Sequence, residues 1–167
     1  MTADYQMDTT LEKRVGEALR RHGLRLAAAE SCTGGLVGHR ITNIPGSSTY
    51  YMGSVIAYAY EAKVRLLDVK WETLEAHGAV SSQVVSEMAL GVRHALAADI
   101  GVSISGIAGP GGGTPEKPVG LVCFGLSTPD GVWSTRQKFE GDRIAVKEQA
   151  ADFILNYTLQ YLEGRLT

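Results

Sequence analysis

The 167-residue chain carries 16 Lys and Arg against 18 Asp and Glu, for a formal net charge of −2, with 44% hydrophobic and 20% charged residues. This balance excludes an intrinsically disordered chain and gives no global positive field for nucleic acid or an anionic membrane, so any phosphate must be held by a local site. The length suits one domain, 1–167 with a core over about residues 10–162, able to bury its own apolar surface without a disulfide or metal staple.

Thr9 followed by Glu12 is a capping-box pattern, and Leu11, Val15, Ala18 and Leu19 repeat at helical spacing, predicting a first helix that runs to Gly23. The apolar run 24–29 predicts a buried strand that leads into the turn Glu30-Ser31-Cys32-Thr33-Gly34-Gly35. A second helix is expected from Leu36 to Ile44, stopped by Pro45-Gly46. Residues 50–58 read as a strand and 61–67 as a short helix. Ser81 or Ser82 is placed to cap a helix whose stripe is Val84, Val85, Met88, Val92, Ala95 and Leu96. A strand at 100–105 opens into the glycine-rich segment 106–115. Then 119–127 and 132–139 form a hairpin across Pro129-Asp130-Gly131, and Val146, Ala150, Phe153, Ile154, Tyr157 and Tyr161 mark a final helix. Strands alternating with helices, plus a hairpin, predict a mixed sheet with helices on both faces, whose ligand lies in the loops that follow the strands.

The acidic start (Asp4, Asp8, Glu12) lacks the apolar core of a secretory leader, and no apolar run reaches bilayer length. The expected location is the cytoplasm, with Cys32 and Cys123 reduced. His22, His39, His77 and His94 show no ligand spacing, so no metal site is expected.

Segments 30–35, 45–48 and 105–120 hold more glycine and small polar residues than packing requires. The glycine loop is followed by a strand and not a helix, has no G-x-G-x-x-G spacing and lacks a Gly-Lys-Ser/Thr triplet, which excludes the Rossmann and Walker fingerprints. Its backbone N–H groups can still converge on an anion, and the Ser31–Gly35 turn offers a second such place. Two phosphate-tolerant loops on a small chain point to a mononucleotide-sized ligand. A serine hydrolase without histidine needs another base. Lys63, at the start of a short helix where the dipole disfavours its charge, is the candidate, with a surface lysine as the plainer alternative. Cys32 as a nucleophile is a further alternative.

The segments AESCTGGL at 29–36, PGSS at 45–48, EAKVRLLDV at 61–69, GAVS at 78–81 and GIAGPGGGTPEKPVG at 106–120 together resemble the CinA C-terminal domain family. The resemblance implies a three-layer α/β/α sandwich around a mixed, mostly parallel sheet. It also implies deamidation of nicotinamide mononucleotide to nicotinate mononucleotide and ammonia, with no metal or cofactor. Larger relatives carry an additional N-terminal domain with pyrophosphatase activity, and that activity is not expected here. Carried over by residue, Ser48 looks like the nucleophile, Lys63 its base and Tyr58 a proton relay or orienting group. The substrate-binding positions implied are Ser31, Thr33, Gly34, Gly35, Ser105, Gly106, Gly109, Gly111, Gly112 and Arg143.

Two departures stand out: Ser105 replaces the usual threonine, and Tyr58-Ala59-Tyr60 replaces Tyr-Ser-Asn. On this reading the carboxamide lies beside Ser48, and the phosphate lies far from Lys63 on the glycine loop and Arg143. The expected partners are the nucleotide and a second copy of the chain, most simply as a dimer, with neither nucleic acid nor membrane. The competing function is a binding or regulatory module that uses the same loops without turnover.

Overall fold

The computed structural model describes residues 10–166. Helix α1 (Leu11–His22) starts under the Thr10 side chain, which accepts from the Lys13 N–H, and stops at Gly23 in the left-handed region. Thr9, the expected cap, lies outside the described residues, and Thr10 takes that role. Strand β1 (Leu26–Glu30) is followed by α2 (Leu36–Thr42), a 3₁₀ turn over Ser47–Thr49 and β2 (Tyr51–Ile56). Helices α3 (Tyr60–Leu67), α4 (Trp71–His77) and α5 (Ser82–Ala95) lead to β3 (Ile100–Gly106). The hairpin β4 (Leu121–Thr128) and β5 (Gly131–Lys138) and the long helix α6 (Arg143–Leu162) complete the chain. Thr128 pairs with Gly131, so the hairpin loop is Pro129-Asp130 and one residue shorter than expected.

Helix α4 was not anticipated. It buries only Leu74 and has no side-chain cap, so it leaves neither an apolar stripe nor a start signal in the sequence.

The five strands lie in the order β2-β1-β3-β4-β5. Strand β1 pairs parallel with both β2 and β3, while β3–β4 and β4–β5 are antiparallel. Alternate residues of β1 feed two cores. Leu26 and Ala28 pack with Leu19, Ile41, Phe124 and Ile154 beneath α1, α2 and α6. Ala27 and Ala29 pack with Leu67, Leu74, Met88 and Val92 beneath α3, α4 and α5. Three layers result, as the alternation of strands and helices predicts.

The topology also places the site. The chain leaves β1 through α2 to reach β2 on one side, and later reaches β3 on the other. The crevice beyond the carboxyl ends of these strands is therefore a topological switch point, where open α/β sheets bind their ligands. Among the described residues no helix is long and apolar enough to cross a membrane.

Candidate active site

Lys63 lies in the first turn of α3, and a long helical side chain leans back toward its helix N-terminus, here toward the chain leaving β2. The lysine is 1% exposed. Its Nζ donates to Ser31 Oγ at 2.9 Å, to the Ala57 carbonyl at 2.8 Å and to the Tyr58 carbonyl at 2.9 Å. No carboxylate pairs with it among the described residues, and burial pushes its pKa down from 10.5 to about 8. Ser31 is the first residue after β1. Its N–H donates to the Ile104 carbonyl at 3.0 Å, so the sheet itself holds the backbone under the hydroxyl.

The turn after Ser31 is fixed from below by Glu30, which is fully buried. The Glu30 carboxylate accepts from Thr33 Oγ1 at 2.8 Å and from the N–H groups of Val37 and Gly38 at 2.9 and 3.1 Å. A buried carboxylate is tolerated only when donors surround it, and these three also tie β1 to α2 across the turn. The Thr33 hydroxyl is thereby committed to structure. Gly34 and Gly35 have φ of 60° and 104°, a region that costs residues with a Cβ. The N–H groups of Cys32, Thr33 and Gly35 have no carbonyl acceptor among the described residues. Cys32 is buried, which raises its thiol pKa to about 11. It is therefore protonated at neutral pH and a poor nucleophile.

A cavity of about 270 Å³ opens over this pair, lined by Ser31, Cys32, Tyr58, Lys63, Ala79, Val80, Ser105 to Gly109, Gly111, Gly112 and Arg143. Ser105 sits near the end of β3 and is 1% exposed, and its hydroxyl has no partner among the described residues. Lining the cavity without a protein partner, this hydroxyl is free to hydrogen-bond a group placed there. Arg143, the first residue of α6, donates from Nη1 to the Gly109 carbonyl at 2.7 Å and from Nη2 to Tyr58 Oη at 3.1 Å, so it clips the glycine loop to the tyrosine at the rim. Ser31, Tyr58, Lys63, Ser105, Gly106, Gly109, Gly111, Gly112 and Arg143 thus converge, while Thr33, Gly34 and Gly35 form the adjoining turn.

Ser48 does not join them. It is exposed, in the 3₁₀ turn that precedes β2, whereas Lys63 follows β2, so the six-residue strand, about 20 Å, separates them. Its turn is tied to α1 instead, with Arg20 donating to the Gly46 carbonyl at 3.1 Å and to Thr49 Oγ1 at 3.3 Å. The expectation that Ser48 faces Lys63 is corrected: the serine at the lysine is Ser31. A larger cavity of about 770 Å³ also lies at that far end, between the ends of α1 and α6, where Arg21, His22, Asp130 and Tyr161 line it. It holds no serine, cysteine or threonine.

The model of the CinA C-terminal domain matches residues 8–162. The chain belongs to that family. It is 52% identical over 151 residues to the nicotinamide-nucleotide amidohydrolase PncC of Enterobacter agglomerans, covering 90% of this chain and 92% of that protein. It is also 52% identical over 148 residues to a putative competence-damage inducible protein of Moorella thermoacetica. The chain spans 36–39% of the length of that protein and of similar relatives from Halothermothrix orenii, Chloroherpeton thalassium and Symbiobacterium thermophilum. A solved CinA superfamily protein from Klebsiella pneumoniae superposes with a TM-score of 0.89 at 38% identity, covering 92% of this chain and 96% of that one. The Agrobacterium tumefaciens protein CihA gives 0.87 at 36% identity, covering 92% and 93%. The strongest sequence signals, AESCTGG and the glycine loop, are the segments that wall the cavity, whereas PGSS is not part of it.

Proposed function

We propose that this chain hydrolyses the carboxamide of nicotinamide mononucleotide, with Ser31 as nucleophile and Lys63 as its base. The observation that carries this reading is the contact of Lys63 Nζ with Ser31 Oγ and two carbonyls. A neutral amine has two N–H bonds and one lone pair. With the N–H bonds committed to the Ala57 and Tyr58 carbonyls, the lone pair points at the Ser31 hydroxyl, the orientation a general base needs. The depressed pKa makes that neutral form accessible near neutral pH. The full-length likeness to an amidohydrolase of nicotinamide nucleotide supports the substrate.

The chemistry follows from these groups. Ser31 Oγ attacks the carboxamide carbon as its proton passes to Lys63 Nζ. The uncommitted N–H groups of Cys32 and Thr33, next to the nucleophile, receive the oxyanion. Collapse breaks the C–N bond, and the lysine proton leaves with the nitrogen as ammonia. Water, deprotonated by the neutral Lys63, then cleaves the acyl ester, giving nicotinate mononucleotide and free Ser31. Ser105, with its unpartnered hydroxyl, hydrogen-bonds the substrate, and Tyr58, held by Arg143, forms the rim against which the ring rests.

Purified protein incubated with nicotinamide mononucleotide should release ammonia and nicotinate mononucleotide in equal amounts, insensitive to chelators. Saturable binding without ammonia release would instead make the chain a nucleotide-binding module.

A further inference from the structure

The charge around the site is unbalanced. Lys63, Arg143 and Lys147 lie about the turn after β1, while Glu30, the carboxylate beneath it at the end of β1, is already occupied by three donors. Lys147 is part of neither the cavity wall nor the chemistry above. It stands four residues after Arg143 on α6, one turn along the same face. Its Nζ lies over Gly34, 3.9 Å from where a Cβ on that glycine would sit, and its charge is felt at Cys32, next to the nucleophile.

Lys147 is partly buried and makes no hydrogen bond or ion pair with any described residue. Arg40, on the neighbouring helix α2, is by contrast held by Glu12 and by Asp152. A cation kept unpaired beside a bare-backbone turn leaves its donors for an anion. Arg143 adds to this, because only two of the five N–H donors of a guanidinium are used by Gly109 and Tyr58.

We propose that Lys147 is a specificity-determining residue that, with Arg143, binds the phosphate monoester of the nucleotide beside the Gly34–Gly35 turn. The assignment rests on the mononucleotide reading above and adds the residue that separates a nucleotide from its nucleoside. Phosphate is then gripped from the start of α6, as a charge-assisted contact, and the glycine loop lies over the rest of the substrate.

The test compares parent, Lys147→Ala and Lys147→Arg on nicotinamide mononucleotide and on the phosphate-free riboside. Lys147→Ala should raise KM for the mononucleotide about 10-fold or more with kcat changed less than about 2-fold, as expected for loss of one charged hydrogen bond. It should change kcat/KM for the riboside less than about 2-fold, and Lys147→Arg should restore most of the mononucleotide loss. Equal losses on both substrates, or no loss on the mononucleotide, would overturn the assignment. If the parent turns over neither compound, the deamidase reading fails separately. Calorimetric binding of ribose 5-phosphate against ribose then decides: a phosphate contribution that disappears in Lys147→Ala upholds the assignment, and one that persists overturns it.

Discussion

The two ends of the parallel strand pair β1–β2 carry similar turns and do different things. At one end, Ser31 sits in a glycine-containing turn over a buried lysine, an unpartnered hydroxyl and uncommitted N–H groups. At the other, Ser48 sits in a glycine-containing turn that is exposed and tied to α1 by Arg20. Ser48 is nearer to Lys63 in sequence, but Ser31, 32 residues away, is the one in contact. In a parallel pair, residues that follow the strands meet at one edge and residues that precede them meet at the other. Which side of a strand a serine falls on therefore outweighs its sequence distance from the base.

The comparison breaks most sharply at Lys63. Lys63→Ala should lower turnover by about 10²–10⁴-fold, the range for loss of a general base, while the protein remains folded by circular dichroism. In the parent, kcat should climb with pH through about 8 as the lysine loses its proton, and the variant should lack that limb. A parent profile that is flat from pH 6 to 9 would place the base elsewhere.

The same depressed pKa has a stability consequence. Unfolding returns Lys63 to its ordinary value of 10.5, so between pH 8 and 10.5 the unfolded chain binds the extra proton. Stability relative to a Lys63→Met variant should therefore rise with pH across that window, by a few kcal/mol in total, and be level below it. Denaturant titrations at pH 7 and pH 10 measure this. A parent that loses stability relative to the variant would reverse the sign and the argument.

Glu30 tests whether the Ser31 turn is held from beneath. Glu30→Gln replaces an acceptor with an amide whose NH₂ faces donors from Thr33, Val37 and Gly38, at a cost of about 1–3 kcal/mol. Urea unfolding reads the cost directly, and turnover should fall with it as the turn shifts. The smallest effect is at Ala59, the N-cap of α3, which has no side-chain cap. Ala59→Ser supplies one and should stabilise the protein by about 0.5–1 kcal/mol. No gain in melting temperature would mean that the first turn of α3 is already satisfied by other donors and acceptors.

Much of this was legible in the sequence. The alternation of strands and helices gave the layers, because each element buries a face at its own period. The small-residue segments after β1 and β3 marked the cavity, because only loops beyond strand ends can leave that much backbone uncovered. Lys63 stood out from chemistry alone as a candidate, once histidine and metal were set aside, and its burial rules out the plainer reading of a surface lysine. What stayed hidden depended on direction and partnership. Helix α4 buries one leucine and leaves no pattern. The separation of Ser48 from Lys63 was implicit in chain order, since the expected strand 50–58 lies between them, but it shows only once that strand is seen to run in parallel with β1 and to bring Ser31 to the lysine. Lys147 looks like any helix lysine until α6 is seen to lie over Gly34.

The central claim is that Ser31, and not Ser48, attacks the carboxamide, and one side-by-side measurement addresses it. Ammonia release from nicotinamide mononucleotide is followed for parent, Ser31→Ala and Ser48→Ala at equal concentration near pH 8. Ser31→Ala should lose about 10³-fold or more, as expected for removal of a nucleophile, and Ser48→Ala should keep turnover within about 2-fold of the parent. Near-parental turnover in Ser31→Ala with collapse in Ser48→Ala would contradict the account.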